Sequence, residues 1–284
     1  MRDETTTRHA YTIPSLLLAL ALLLAPPGLH AQDTPNEPPT DQARTTSSTD
    51  DAESTAQEAD ATPLVDVTAG VTLTSRFIYR GLNLGEAPQV QPNITLRVGH
   101  FELTGWSSHP IAQAADESVG SPRQANYREV LFWALYHIDV GVGTLTPYIQ
   151  NHYNPNTGRL FDMDDGGDGA HFLQAQLMFS GHDGWLPIDA MVGYVVYNDP
   201  GRSVYVEAGY RFSVDQVNLR AFAGGVPGKS PFNGVPERGA YITNVGLTAT
   251  RAIPLTDRFE LPLSVGLIFN PYTENAYGVF SLSL

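Results

Sequence analysis

The chain has 284 residues, no cysteine and a formal charge of −14. Lack of cysteine excludes a disulfide scaffold, a lipid-modified N-terminal cysteine and thiolate metal sites. The acidic balance is hostile to nucleic acid, so no nucleic-acid partner is expected.

A polar opening with Arg2, Arg8 and His9 leads into an apolar run over 16–25, a Pro-Pro-Gly break and Leu29-His30-Ala31. That order is the layout of a secretory signal peptide over 1–31, and the run is too short to span a bilayer as a helix. Residues 32–62 hold eight acids (Asp33, Glu37, Asp41, Asp50, Asp51, Glu53, Glu58, Asp60) against Arg44 alone, so half of the charge imbalance sits there. The segment is rich in Thr, Ser, Ala, Gln and Pro and has no apolar periodicity. It is expected to be a disordered acidic leader over 32–63, because it cannot bury enough surface to offset the entropy of ordering it.

From residue 64 to 284 the pattern changes to strict alternation. Val65, Val67, Ala69, Val71, Leu73, Phe77 and Tyr79 share one face, while Asp66, Thr68, Thr72, Thr74, Arg76 and Arg80 share the other. Period-two segments and turn signals predict twelve strands, at 65–80, 89–98, 101–108, 127–139, 144–153, 171–179, 187–197, 203–212, 216–224, 240–251, 258–269 and 276–284. Each has one apolar and one polar face and is long enough to cross a bilayer when tilted. In lipid every backbone N–H and C=O must be paired within the protein, so such a chain closes on itself. The predicted fold is therefore all-β, a transmembrane antiparallel up-and-down barrel of about twelve strands. The 127–139 segment fits least well, since Leu131, Trp133 and Leu135 intrude on the face opposite Val130, Phe132, Ala134 and Tyr136.

Connections support the same reading, since long and short ones alternate, as external loops and periplasmic turns do. An even strand number then places both ends of the barrel on the short-turn side. Phe77, Tyr79, Tyr194, Tyr272 and Tyr277 are expected near the outer rim as part of an aromatic girdle. The last strand, Tyr277 to Leu284, alternates to the terminus and resembles the signal read by the barrel-assembly machinery, with Leu284 where Phe is usual.

The stretch Ser75-Arg76-Phe77-Ile78-Tyr79-Arg80-Gly81-Leu82-Asn83-Leu84-Gly85, then Pro88-Gln89-Val90-Gln91-Pro92 and Phe101-Glu102-Leu103-Thr104-Gly105-Trp106, resembles the opening of the TorF-type putative porins, the Gcw-chp family. Tyr148 to Pro155 is similar to a strand-to-loop segment of that family, although its Gly is absent here. The resemblance covers the first three strands well and implies an outer-membrane barrel of porin type.

The lumen-facing parity collects Arg76, Arg80, Arg97, Arg211 and Arg220 with Glu102, Glu129, Asp189 and Glu207. Such residues are candidates to line a pore and set ion selectivity by their field; the alternative is pairing across strands, as for Glu207 and Arg220. Asp162, Asp164, Asp165 and Asp168 cluster in a Gly-rich loop and form a candidate Ca²⁺ site, although the EF-hand spacing fails. Ser107-Ser108-His109 is the best catalytic candidate. Adjacent strand residues point to opposite faces and no acid orients the histidine, so no enzyme activity is expected.

The resulting expectation is a channel in the cell outer membrane for passive passage of ions or small polar solutes, without a cofactor. Its partners would be outer-membrane lipid, lipopolysaccharide and the assembly machinery; the sequence carries no sign of oligomeric state. Two alternatives differ in class: a closed structural or adhesive barrel that binds a partner through its loops, and a wall-mounted lipid hydrolase. Deleting residues 32–62 is expected to leave the barrel intact, with unchanged heat-modifiable gel migration and β-rich circular dichroism. Failure of the truncated protein to fold in detergent would make the leader structural.

Overall fold

The structure, a computed structural model, describes residues 65–111, 127–155, 159–256 and 258–284; the predicted signal peptide and leader lie outside the described residues. Fifteen strands follow in chain order: β1 (Val65–Thr74), β2 (Phe77–Tyr79), β3 (Leu82–Gly85), β4 (Gln89–Val98), β5 (Phe101–Pro110), β6 (Glu129–Tyr136), β7 (Ile138–Asp139), β8 (Gly143–Tyr153), β9 (His171–Gly181), β10 (Ile188–Tyr197), β11 (Val204–Val214), β12 (Val217–Val226), β13 (Tyr241–Thr256), β14 (Phe259–Asn270) and β15 (Asn275–Ser283). β2 and β3 stand apart as a two-stranded hairpin. β7 continues β6 after a break at His137 and also pairs with β8.

The rest is one antiparallel ring. Sequence neighbours pair from β4 round to β15, with β6 and β8 joined directly, and β1 pairs with β4 on one side and β15 on the other. The ring therefore closes as a barrel of twelve staves. Its seam between β1 and β15 is short: Thr72, Leu73 and Thr74 oppose Ser283, Leu282 and Ser281. The β1–β4 seam instead runs the whole length of β1.

Outward positions are apolar. In β1 they are Val65, Val67, Ala69, Val71 and Leu73, all exposed except the half-buried Val71; in β10 and β11 they include Val192, Tyr194, Val206, Tyr210 and Phe212, left exposed by the protein itself. Inward positions are polar and more covered: Thr74, Gln89, Thr104, Ser108, Thr146, Gln150, Gln174 and Gln176 are all buried. Burial here is inverted relative to a water-soluble β-sandwich, whose apolar side chains face inward. The Leu131, Trp133 and Leu135 set of β6 is inward too, since these residues lie opposite Trp106, Thr104 and Glu102 of β5. Leu131 and Leu135 are nonetheless buried.

Two strand boundaries depart from the predicted ones. β13 runs on to Thr256 through Pro254, where the ladder with β14 becomes irregular; the missing N–H of proline is tolerated at such a site. β1 stops at Thr74 instead of continuing to residue 80. At that point Ser75 N–H donates to Phe280 O at 2.8 Å, its hydroxyl accepts from Phe280 N–H, and the Thr74 hydroxyl turns back to Arg76 O. The chain thus leaves the sheet, and the parity that placed Phe77 and Tyr79 on the lipid side no longer applies.

An arginine on the outer face, as in Ile94→Arg near the middle of β4, is expected to cost about 2–4 kcal/mol of unfolding free energy in a bilayer. Denaturant titration in lipid vesicles measures this, and an unchanged midpoint would mean that the face does not meet lipid.

Candidate functional site

The polypeptide that leaves the sheet after Thr74 folds into the barrel. β2 and β3 pair through Tyr79 and Leu82, leaving Arg80-Gly81 as a two-residue turn with φ of 52° and 82°. Two successive positive φ values give the type I′ geometry that suits the twist of a hairpin. Glycine is required at the second position, because a Cβ on Gly81 would stand 1.9 Å from Thr243 O. Arginine at the first pays a small conformational cost, offset by what its side chain does.

Arg80 donates to Gln176 Oε1 at 2.9 Å, to Gln174 Oε1 at 3.1 Å and to Asn233 Oδ1 at 3.2 Å. Its guanidinium also stacks over the rings of Tyr205 (4.4 Å) and Tyr79 (4.8 Å). These partners lie on β9, on β11 and in the 3₁₀ turn Pro231–Asn233, on the far side of the ring from β1 and β4. A Cβ on Gly193 of β10 would come within 3.3 Å of the guanidinium, so the glycine makes room for it. From another direction Asn270, at the end of β14, donates to Gly81 O at 3.1 Å. Thr243, which meets Gly81, is the extra residue where the β12–β13 register shifts, a bulge that turns its carbonyl into the lumen. The hairpin therefore spans the lumen and is tied on several sides.

The apolar flanks of the hairpin find rings and not lipid. Phe77 is buried against Trp106 and Tyr127, and Tyr79 packs edge-on against His152 and Phe232. This corrects the expectation that Phe77 and Tyr79 belong to the outer girdle. It also corrects Arg76 and Arg80 as wall residues: Arg80 is at the hairpin tip, and Arg76, just past β1, lies over the Tyr277 ring at 5.7 Å.

The other predicted lumen charges are on the wall and are paired. Arg97 and Glu102 meet at 2.8 Å on β4 and β5. Across β10, β11 and β12, Arg220 bridges Asp189 and Glu207 (2.9 Å to Glu207), while Arg211 reaches Asp189 and, at 2.8 Å, Asp183. Tyr205 and Asn244 complete the Glu207 end at 2.6 and 2.9 Å. Charge compensation between neighbouring staves thus dominates these positions.

Glu129 is different. It is buried on β6, and its Oε1 accepts from His152 Nδ1 of β8 at 2.9 Å. The two line a cavity of about 110 Å³ with Tyr79, Leu82, Tyr127 and Phe232 among its walls. Burial, then the adjacent Glu129 carboxylate, holds the Tyr127 phenol well above its usual pKa, so it stays neutral.

The four aspartates of the loop before β9 do not converge. Asp162 accepts from Asp164 N–H and from Arg159, and Asp165 accepts from Asn198 N–H, so their oxygens brace the loop. Among the described residues no three His, Asp or Glu side chains group as metal ligands. Ser107 and His109 share the outer face, with Oγ and Nε2 3.1 Å apart, while Ser108 turns inward to Gln89 and Gln91. The cross-strand neighbour of His109 is Val90, so β4 supplies no carboxylate to orient the ring. Beyond the rim, Tyr272 donates to Glu237 and so links two loops; that bond pushes its pKa up to about 12.

No family model matches the chain, so the resemblance to TorF-type porins gains no support from that side. No curated protein matches either. Among solved structures the chain is similar to a KdgM porin, at 6% sequence identity and a TM-score of 0.42, over 75% of this chain and 96% of that one.

Arg220→Ala leaves the Asp189 and Glu207 carboxylates without the cation between them. The group is partly solvated, so the expected loss is about 1–3 kcal/mol in denaturant titration. Adding Glu207→Gln is expected to recover part of it by removing one of the stranded charges.

Proposed function

We propose that the protein is an outer-membrane channel of porin type for passive passage of ions or small polar solutes. The observation that carries the reading is a closed twelve-stave ring, apolar outside and polar inside, crossed among the described residues by one hairpin. Eight strands leave an interior filled by side chains and sixteen leave an aqueous channel, so twelve leave room that one hairpin can narrow. Arg97, Glu102, Glu129, Glu207, Arg211 and Arg220 would line the wall, and Arg80 with Arg76 would define the narrow level. In this reading the acidic leader is a solvated spacer, the last strand is the signal for barrel assembly, and the long loops face lipopolysaccharide. No catalytic role is assigned.

A second reading has one specific observation in its favour. The ties of Arg80 to Gln174, Gln176 and Asn233, and of Gly81 to Asn270, fit a barrel kept shut, with its loops as the working surface.

Planar-bilayer recording separates the two. A channel gives discrete conductance steps, which are expected to grow several-fold when residues 76–87 are replaced by a short Gly-Ser link. Absence of steps in both proteins favours the structural barrel. In a conducting channel, Arg80→Gln is expected to shift the reversal potential toward cations at low salt. The shift should shrink toward 1 M salt, where the screening length falls from roughly 10 Å at 0.1 M to about 3 Å.

A further inference from the structure

Glu129 and His152 meet inside an aromatic cavity with unfinished hydrogen bonding. The side chains are 6% and 4% exposed, and two of their polar atoms, Glu129 Oε2 and His152 Nε2, have no protein partner. A carboxylate only accepts, so the hydrogen of the His152–Glu129 bond sits on Nδ1. Glu129 Oε2 is an acceptor in the same way. A buried acceptor without a donor costs on the order of a hydrogen bond or more, and a carboxylate costs most. What completes the carboxylate must donate a hydrogen, and a charged donor makes the stronger bond.

Among the described residues no Lys or Arg side chain fills that role. Arg80, at the tip of the hairpin that forms one side of the cavity, spends its guanidinium on Gln174, Gln176 and Asn233. Among the described residues Glu129 forms no ion pair with a Lys or Arg; its ion-pair partner is His152, and the Tyr127 hydroxyl also bonds the carboxylate. Rings make up most of the remaining wall, beside Leu82, Leu84 and Asn154. Phe232 packs edge-on to His152 at 5.1 Å and lies 5.5 Å from Phe172, so the rings line the space continuously. Aromatic faces carry negative potential and attract cations, whereas an anion would meet the Glu129 charge. The cavity, about 110 Å³, exceeds the roughly 10–15 Å³ that one water requires.

We propose that this cavity binds a small primary ammonium compound, its N–H groups donating to Glu129 Oε2 beside His152 and its carbon chain against Phe172 and Phe232. The site lies at the long-loop end, since Glu129 opens β6 after the β5–β6 connection and Asn154 follows β8. It is built where the in-folded hairpin meets the β6, β8 and β9 wall, and it does not rest on the barrel being open. Trapped water alone is the competing occupant.

The test uses the full chain folded in detergent, with heat-modifiable migration as the fold check and ethylammonium chloride as the probe. Saturation-transfer NMR titration is expected to show saturable binding in the millimolar range or tighter, with 1-propanol and acetate of similar size at least tenfold weaker. Glu129→Gln should weaken ethylammonium at least tenfold, and Phe232→Leu several-fold. Phe232 stands outside the strand wall, so that variant decides if Glu129→Gln fails to fold. Absence of saturable binding to the folded wild type means water only and overturns the proposal; so does equal binding of 1-propanol, or undiminished binding by both variants. Conductance plays no part in the readout, so a barrel that never conducts can still pass.

Discussion

Ring closure is the constraint on which everything else depends. A sheet whose outer face is apolar cannot leave edge N–H and C=O groups facing lipid, because each unpaired group costs several kcal/mol there. β1 satisfies this by pairing along its length with β4 and, through Thr72 to Thr74, with the chain's last strand. Val71 and Leu284 add a reciprocal pair of backbone bonds at 2.9 and 2.8 Å. Both terminal strands of the ring must therefore be present before any stave has a settled environment. Alternation then sorts side chains into lipid-facing and lumen-facing sets without further instruction.

The lumen is a harder environment to satisfy than the outside, because it mixes polar walls with a packed insert. Glutamine amides at Gln174 and Gln176 are large enough to reach the hairpin and neutral enough to share one guanidinium without a net-charge penalty. The lumen is also not uniformly polar: Phe77, Trp106 and Tyr127 form a small aromatic contact at the base of the hairpin. The ion pairs on β10, β11 and β12 adjoin the hairpin through Tyr205, whose ring lies under Arg80 and whose hydroxyl donates to Glu207.

The ring itself was legible because period-two alternation is a direct consequence of strand geometry and one-sided burial. All twelve staves fall close to the predicted segments, and the alternation of short and long connections survives, as with Gly99-His100 against residues 75–88. The hairpin was not legible as such, because apolar residues return on the same parity at Phe77 and Tyr79; the local trace of the exit is Ser75, a polar residue on the apolar face at the point where the chain leaves the sheet. Its turn was written in Arg80-Gly81 flanked by Phe-Ile-Tyr and Leu-Asn-Leu, but arginine is not among the usual residues for the first turn position, so the signal was easy to miss. The apolar residues of β6 on the wrong face were a second trace, explained once the lumen is seen to contain a packed insert. The Glu129–His152 pair was half visible: glutamate was assigned to the lumen, but a contact between β6 and β8 is not encoded in local spacing. The aspartate loop was legible only as composition, which does not show that Asp162 accepts from Asp164 N–H and Asp165 from Asn198 N–H.

The short β1–β15 seam sets the order in which the barrel comes together and comes apart. Every other stave of the ring is joined to its neighbours by six or more register pairs, whereas this seam has three. β1 runs on from Gly70 to Val65 past the end of β15, so the rungs there are held from the β4 side alone among the described residues. Local opening is cheapest where fewest ladder bonds must break, so strand separation starts at this corner and the last zip of assembly ends there. The hairpin begins one residue beyond the seam, at the bend bonded to Phe280. The seam and the insert thus share one bend, so the corner with the fewest rungs is also the corner from which the hairpin departs.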